Sequence, residues 1–179
     1  MQASEFPPNQ VRDSLPPIAI DFNPGSGTIA PHRPSPEWVI LDLQRLTAFE
    51  TVEGQYKSEG VWFEGAIALY PSNSAFSPRP GALSLLPIAG RSNMVAHFAQ
   101  PRQQVNASLT GARQVTVTAY DHANRVLAKH SAGNRNYVSS QPAQTTAFPQ
   151  HEMKLSSHGI AKVTFDSDAP FTLDAIAYC

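Results

Sequence analysis

A single cysteine, Cys179, stands at the last position of the chain. One thiol cannot close an internal disulfide, so burial and hydrogen bonding must hold the fold, with no need for an oxidising compartment. Charge is equally sparse: charged residues make up 15%, with 13 Lys and Arg against 14 Asp and Glu. The basic residues form no run, and phosphate binding needs clustered Lys and Arg to release counterions, so no nucleic-acid partner is expected. No stretch reaches the roughly 18 apolar residues of a membrane span, so no membrane partner is expected either. The opening residues, MQASEFPPNQVRDSLPP, lack a basic segment followed by an apolar one. That predicts a protein made in the cytoplasm without a signal peptide.

Catalytic patterns are missing as well. The sequence contains no Gly-x-Ser-x-Gly, no phosphate-cradling glycine loop and no Gly-x-Gly-x-x-Gly. Its six histidines, His32, His97, His122, His130, His151 and His158, are scattered rather than set at zinc-ligand spacing. His97 falls inside an apolar segment and reads as a packed or edge residue. Glu50, Glu53, Glu59 and Glu64 lie close in sequence, yet nothing in their spacing makes two of them converge as glycoside hydrolysis requires. Asp166 and Asp168 precede Pro170 in a turn, where aspartates usually bond local backbone. The expectation is a non-enzyme without catalytic residues.

What the sequence has in abundance is proline: 16 residues, eight of them ahead of Trp38. Proline fixes φ, removes a backbone donor and drives the preceding residue to extended geometry, so residues 1–37 read as an extended arm. Phe6, Val11, Leu15, Ile18, Ile20 and Phe22 dot that arm with apolar side chains. A free linker has little use for them. They are candidate partner-binding residues, with the segment from Ile18 to Phe22 able to add as a strand to a neighbouring sheet.

From residue 38 to 179 the pattern changes to short strands separated by turn residues. The clearest alternation is Val115, Val117 and Ala119 against Thr116, Thr118 and Tyr120, followed by the turn Asp121-His122-Ala123-Asn124 and a returning strand, Arg125 to Lys129. Further strands are expected at residues 38–43, 61–70, 93–99, 105–109, 152–155, 160–165 and 171–178, with a short helical turn near Leu46 to Glu50. No segment repeats apolar residues at three and four. The fold class is all-β, an antiparallel jelly-roll-like sandwich of about nine strands with an extended N-terminal arm.

The order of these strands resembles a known group. Val39-Ile40-Leu41-Asp42-Leu43-Gln44, Gln55-Tyr56 and Gly60-Val61-Trp62-Phe63, the hairpin from Val115 to Val126, and the closing pair Gly159 to Phe165 and Phe171 to Asp174 are similar to motifs of galactose-binding-like jelly-roll modules of bacterial, PEP-CTERM-associated proteins. The resemblance implies a β-sandwich over residues 38–178. It also implies a place for structural calcium near the chain ends, with Asp42 and Asp174 as the surviving carboxylates. Gln44 and Ala175 stand where the group has further acids, which removes anionic ligands. The other reading of Asp174 is a satisfied polar residue at a β-bulge. No other cofactor is implied.

Two functions follow. The resemblance implies a carbohydrate- or surface-binding module, for which Trp38, Trp62, Tyr70, Tyr120 and Tyr137 are candidate stacking residues, although Trp62 sits in an apolar strand and reads as core. Asn106-Ala107-Ser108 fits a glycosylation acceptor by pattern alone. The arm and the lack of an export signal favour a virion structural protein of the capsid-decoration, or phage cement, type. Its arm would bind neighbouring capsid subunits and copies of itself in a trimer or dimer on the virion surface. That structural role is the expectation carried forward, with the binding module as its alternative.

Overall fold

The computed structural model describes residues 36–76, 81–135 and 147–179. The chain divides into two units, Met1–Pro34 and Ser35–Cys179, and the described residues all belong to the second. The arm candidates Phe6, Val11, Leu15, Ile18, Ile20 and Phe22 lie outside the described residues, as do His32 and Tyr137.

Ten strands account for most of what is described: β1 (Val39–Ile40), β2 (Thr51–Val52), β3 (Val61–Glu64), β4 (Ala66–Leu69), β5 (Ser84–Pro87), β6 (Asn93–Gly111), β7 (Val115–Tyr120), β8 (Val126–Ala132), β9 (Gln150–Asp166) and β10 (Phe171–Tyr178). All pairings among them are antiparallel. Among the described residues there is no α-helix. The all-β expectation holds, with corrections in detail. Leu46 to Glu50 does hold a turn, closed by the Glu50 N–H on the Thr47 carbonyl, but Phe49 at φ +68 makes it non-helical; the helical turn lies just before it, a 3-10 turn over Leu43–Arg45 that Asp42 caps.

Two long strands organise the molecule. Residues 93–98 of β6 pair with β3 and with residues 162–166 of β9, whereas residues 104–110 pair with residues 150–156 of β9. β10 lies along residues 105–111 of β6. Each strand therefore serves two layers. One layer runs β3-β6-β9-β7-β8; the other runs β2-β4-β5-β10-β6-β9, with β1 added on β10. The register shifts between His97 and Arg102 and again before Gln104, where β6 passes between layers.

Pro101 sits in that passage. It has no N–H to contribute, and the ladder asks for none there. Ala99 donates instead to the Gly60 carbonyl, and Gln103 donates to that of Cys179. This is why the residues around Pro101 continue a strand where their composition predicts a break.

The inward faces of both layers close on one apolar cluster. Phe63, Phe98, Val117, Val163 and Phe165 come from one layer; Leu85, Leu109, Leu155, Leu173 and Ile176 come from the other. Phe98 and Tyr178 meet across it edge to face, with ring centroids 5.0 Å apart. Each such fully buried side chain stabilises the fold by about 1.5–3 kcal/mol relative to exposure. Two buried tyrosines also find acceptors: Tyr56 donates to the Asp42 carbonyl at 2.8 Å and Tyr178 to the Glu59 carbonyl at 2.8 Å. Burial pushes the Tyr56 phenol up to about 12.

Candidate functional site

With the inner faces committed to the core, function has to lie on an outer face, an end or an edge. On β3, Val61 and Phe63 point inward and Trp62 and Glu64 outward. Cross-strand partners share a face, so the ladder can be followed outward from Trp62. Trp62 is opposite His97 on β6, His97 opposite Lys162 on β9, Lys162 opposite Tyr120 on β7, and Tyr120 opposite Val126 on β8. One row of the outer face thus reads Trp, His, Lys, Tyr, Val. Neighbouring strands are about 4.8 Å apart, so Trp62 and Tyr120 stand three spacings, about 14 Å, from each other at the backbone.

The row is preorganised. The Trp62 and His97 rings stack at 5.3 Å between centroids and 7° between planes. The Lys162 ammonium lies 5.1 Å from the centre of the Tyr120 ring, within cation–π reach. Trp62, His97, Lys162 and Tyr120 are all half-buried, which limits their freedom while leaving surface to meet a ligand. A second row beside it, Glu64, Val95, Thr164, Thr118 and Lys129, adds hydroxyl and charged groups.

Carboxylates at the margins are already engaged. Glu64 accepts from Arg91 at 3.1 Å and lies 3.6 Å from His97 Nε2. The Arg91 guanidinium holds its carboxyl below the usual range, with help from His97. Asp121 accepts from the Arg125 and Ala123 backbone N–H groups and from Arg125 Nε, which holds it low as well. The same carboxylate closes the β7–β8 turn, with Asn124 at φ +60, the left-handed conformation expected of it. An apolar pocket of about 400 Å³, bounded by Leu86, Ile88, Arg91, Pro170 and Phe171, opens nearby where the β5–β6 and β9–β10 turns meet.

Trp62, a candidate stacking residue whose apolar strand reads as core, faces outward and is half-buried. The available signal was Glu64, which shares its face two residues on. Tyr120 lies on the same face, as its alternation with Ala119 implied. Trp38 and Tyr70 adjoin β1 and β4, strands of the other layer, and do not join the row. His97 is packed, against Trp62, as expected. Asn106 and Ser108 belong to a doubly paired stretch of β6, and Ser108 is buried, so the acceptor pattern there is not an accessible glycan site.

The two metal candidates are each engaged by the protein. Asp42 Oδ1 accepts from the Gln44 backbone N–H. Asp174 sits where β10 shifts register against β6, and its two oxygens accept from Ser84 Oγ at 2.8 Å and Thr110 Oγ1 at 2.7 Å. Gln44 both donates to the Leu83 carbonyl and accepts from the Leu83 N–H, a pairing that an ionised glutamate cannot make. Among the described residues, no group of three or more His, Cys, Asp or Glu is placed to hold a metal ion.

No protein-family model matches the chain, and no curated protein matches it in sequence. Solved structures do match in shape. A family 29 carbohydrate-binding module, as an alanine mutant made to probe ligand recognition, covers 79% of this chain with 91% of its own, at 8% identity and a TM-score of 0.42. A cleaved adhesin domain of Lys-gingipain from Porphyromonas gingivalis W83 covers 80% with 98% of its own, at 9% identity and a TM-score of 0.47. Another cleaved adhesin domain of Lys-gingipain covers 80% of this chain with 99% of its own, at 10% identity and a TM-score of 0.53. What this chain shares with that last domain is a fold: the β-sandwich expected from its alternating strands.

Proposed function

We propose that this chain is a non-catalytic saccharide-binding module that seats its ligand on the outer face of β3-β6-β9-β7-β8. The observation that carries the reading is the row Trp62, His97, Lys162 and Tyr120, aligned by strand register across four strands. A pyranose has an apolar C–H face and a rim of hydroxyls. A row that alternates aromatic rings with hydrogen-bonding groups suits both. Its length suits an oligosaccharide rather than a single sugar. Sharing a fold with an adhesin domain agrees with a binding role but does not supply the ligand.

The carboxylates beside the row do not suit the acid step of glycoside hydrolysis. A general acid working on a glycoside needs a carboxyl pushed upward. Glu64 and Asp121, the carboxylates beside the row, are both shifted downward, each by donors bonded to it. The capsid-decoration expectation drew on arm residues that lie outside the described region, and none of the similarities found points to a virion. The surface-binding alternative is the reading that gains support.

The test is a glycan-array screen of the full chain beside Trp62→Ala and Tyr120→Ala. The proposal expects a defined set of bound saccharides that both substitutions abolish or weaken at least about tenfold, the loss of one good stacking contact. Unchanged binding in both variants, or no saccharide bound by the wild-type chain, would overturn it.

A further inference from the structure

The charges around the row are unevenly paired, and that imbalance bears on the ligand. On the flanks, carboxylates meet arginines: Glu64 with Arg91 at 3.1 Å, Asp121 with Arg125 at 2.7 Å, and Asp168 with Arg113 at 3.1 Å. Lys162 and Lys129 belong to no ion pair among the described residues. Both face outward beside β7, Lys162 opposite Tyr120 on one side and Lys129 opposite Thr118 on the other. Their backbones are two strand spacings apart and offset by two residues along the strand, about 12 Å in all. The remaining acid of this face, Asp166, is four residues along β9 from Lys162, about 13 Å away.

The centre of the row therefore carries positive charge that the protein does not neutralise. An exposed lysine in water needs no partner. Lys162, however, is half-buried and held over Tyr120 in the middle of the aromatic row, where a ligand would displace its water. An ammonium that loses water gains from an anion in its place. We infer that the saccharide accepted by this face is acidic, bearing a carboxylate or sulfate that pairs with Lys162, with Lys129 available to a second acidic group further along the chain. This inference rests on the saccharide-binding reading above and narrows it to a ligand class.

The experiment compares uronate-containing and sulfated oligosaccharides with uncharged ones of equal length, using the full chain and three variants: Lys162→Gln, Lys162→Arg and Trp62→Ala. The expected result is preference for the acidic ligands, weakened several-fold as salt rises from about 0.05 to about 0.5 M through screening. Lys162→Gln should lose about tenfold or more on acidic ligands at unchanged Tm, and Lys162→Arg should recover most of that loss. Equal binding of uncharged and acidic ligands, indifferent to salt and to Lys162→Gln but abolished by Trp62→Ala, overturns the charge inference and leaves the saccharide site standing. Failure of every saccharide, charged or not, to bind removes the site and the inference together.

Discussion

Asp174 gives the sharpest test of how the sandwich is held at its bulge. Both of its oxygens accept from hydroxyls on neighbouring strands, Ser84 on β5 and Thr110 on β6, and those two residues are 3% and 1% exposed. Asp174→Ala removes a charged acceptor from two donors that water can barely reach. A hydrogen bond to a charged group is worth about 1.5–3 kcal/mol, and a stranded buried hydroxyl costs about 1–3 kcal/mol. Partial exposure of Asp174 and local rearrangement of the hydroxyls reduce the sum, so a net loss of about 3 kcal/mol is expected. For a domain of this size that lowers Tm by about 6–12 °C. Urea unfolding with an unchanged m-value measures it directly. Asp174→Asn, which keeps an acceptor, should lose less than half as much. The same assay separates this role from calcium binding: with Asp174 serving the two hydroxyls, neither calcium nor a chelator moves the wild-type midpoint. A loss below about 0.5 kcal/mol in Asp174→Ala, within the usual range for surface changes, would refute the reasoning, as would a wild-type midpoint that rises with calcium.

Other outcomes follow from single contacts. Gly60 has φ +82, and a Cβ there would lie 2.8 Å from Arg102 Nη2; Gly60→Ala should cost about 1–2 kcal/mol in denaturant unfolding from backbone strain alone, and shifting Arg102 off the Tyr178 ring, where it lies 4.8 Å from the centroid, should add to that. Glu59 is held down to about 2, first by Arg45 and then by Ser58. A depressed carboxylate stabilises the fold above its unfolded pKa, so its contribution should be lost as pH falls from about 4.5 towards about 2. Glu59→Gln should show a shallower decline of Tm across that window than the wild type, and an identical decline would contradict the assignment. Phe165, fully buried in the shared core, should cost about 3–5 kcal/mol as Phe165→Ala.

The parts of this fold legible in the sequence are those where local chemistry and tertiary context agree. Val115, Val117 and Ala119 alternate and are buried as the alternation requires. Asp121 and Asn124 make the turn their side chains favour, and Phe171 to Tyr178 is a strand from end to end. Illegible parts depend on partners remote in sequence. β2 and β5 are strands because β4 lies between them, and their own residues, Thr51–Val52 and Ser84–Pro87, carry little periodic signal. Pro101 stops a strand by propensity, yet at this position β6 is leaving one layer for the other and no ladder bond is at stake. The expected strand from Val61 to Tyr70 divides at Gly65, whose φ of +73 turns the chain from β3 in one layer to β4 in the other.

The site was half legible. Tyr120 follows from alternation alone. Trp62 between Val61 and Phe63 looks like core, since three apolar residues in a row hide the period of two, and only Glu64 breaks the tie. The row itself could not be foreseen. It depends on which strands lie side by side, and His97 and Lys162 are 65 positions apart in the chain, the difference between their residue numbers. Alternation tells which way a side chain faces, never what stands next to it.

A ligand seated on the Trp62 face is what every functional conclusion above requires. Calorimetric titration of the best array-selected saccharide into wild type, Trp62→Ala and Trp38→Ala measures that directly. Trp38 is the control because it is 38% exposed beside β1, in the other layer. Trp62→Ala should lose at least about tenfold in affinity while staying folded, with at most a modest drop in Tm from the lost stack on His97, and Trp38→Ala should bind as wild type. Loss in Trp38→Ala with full binding in Trp62→Ala would place the ligand elsewhere and contradict the proposal.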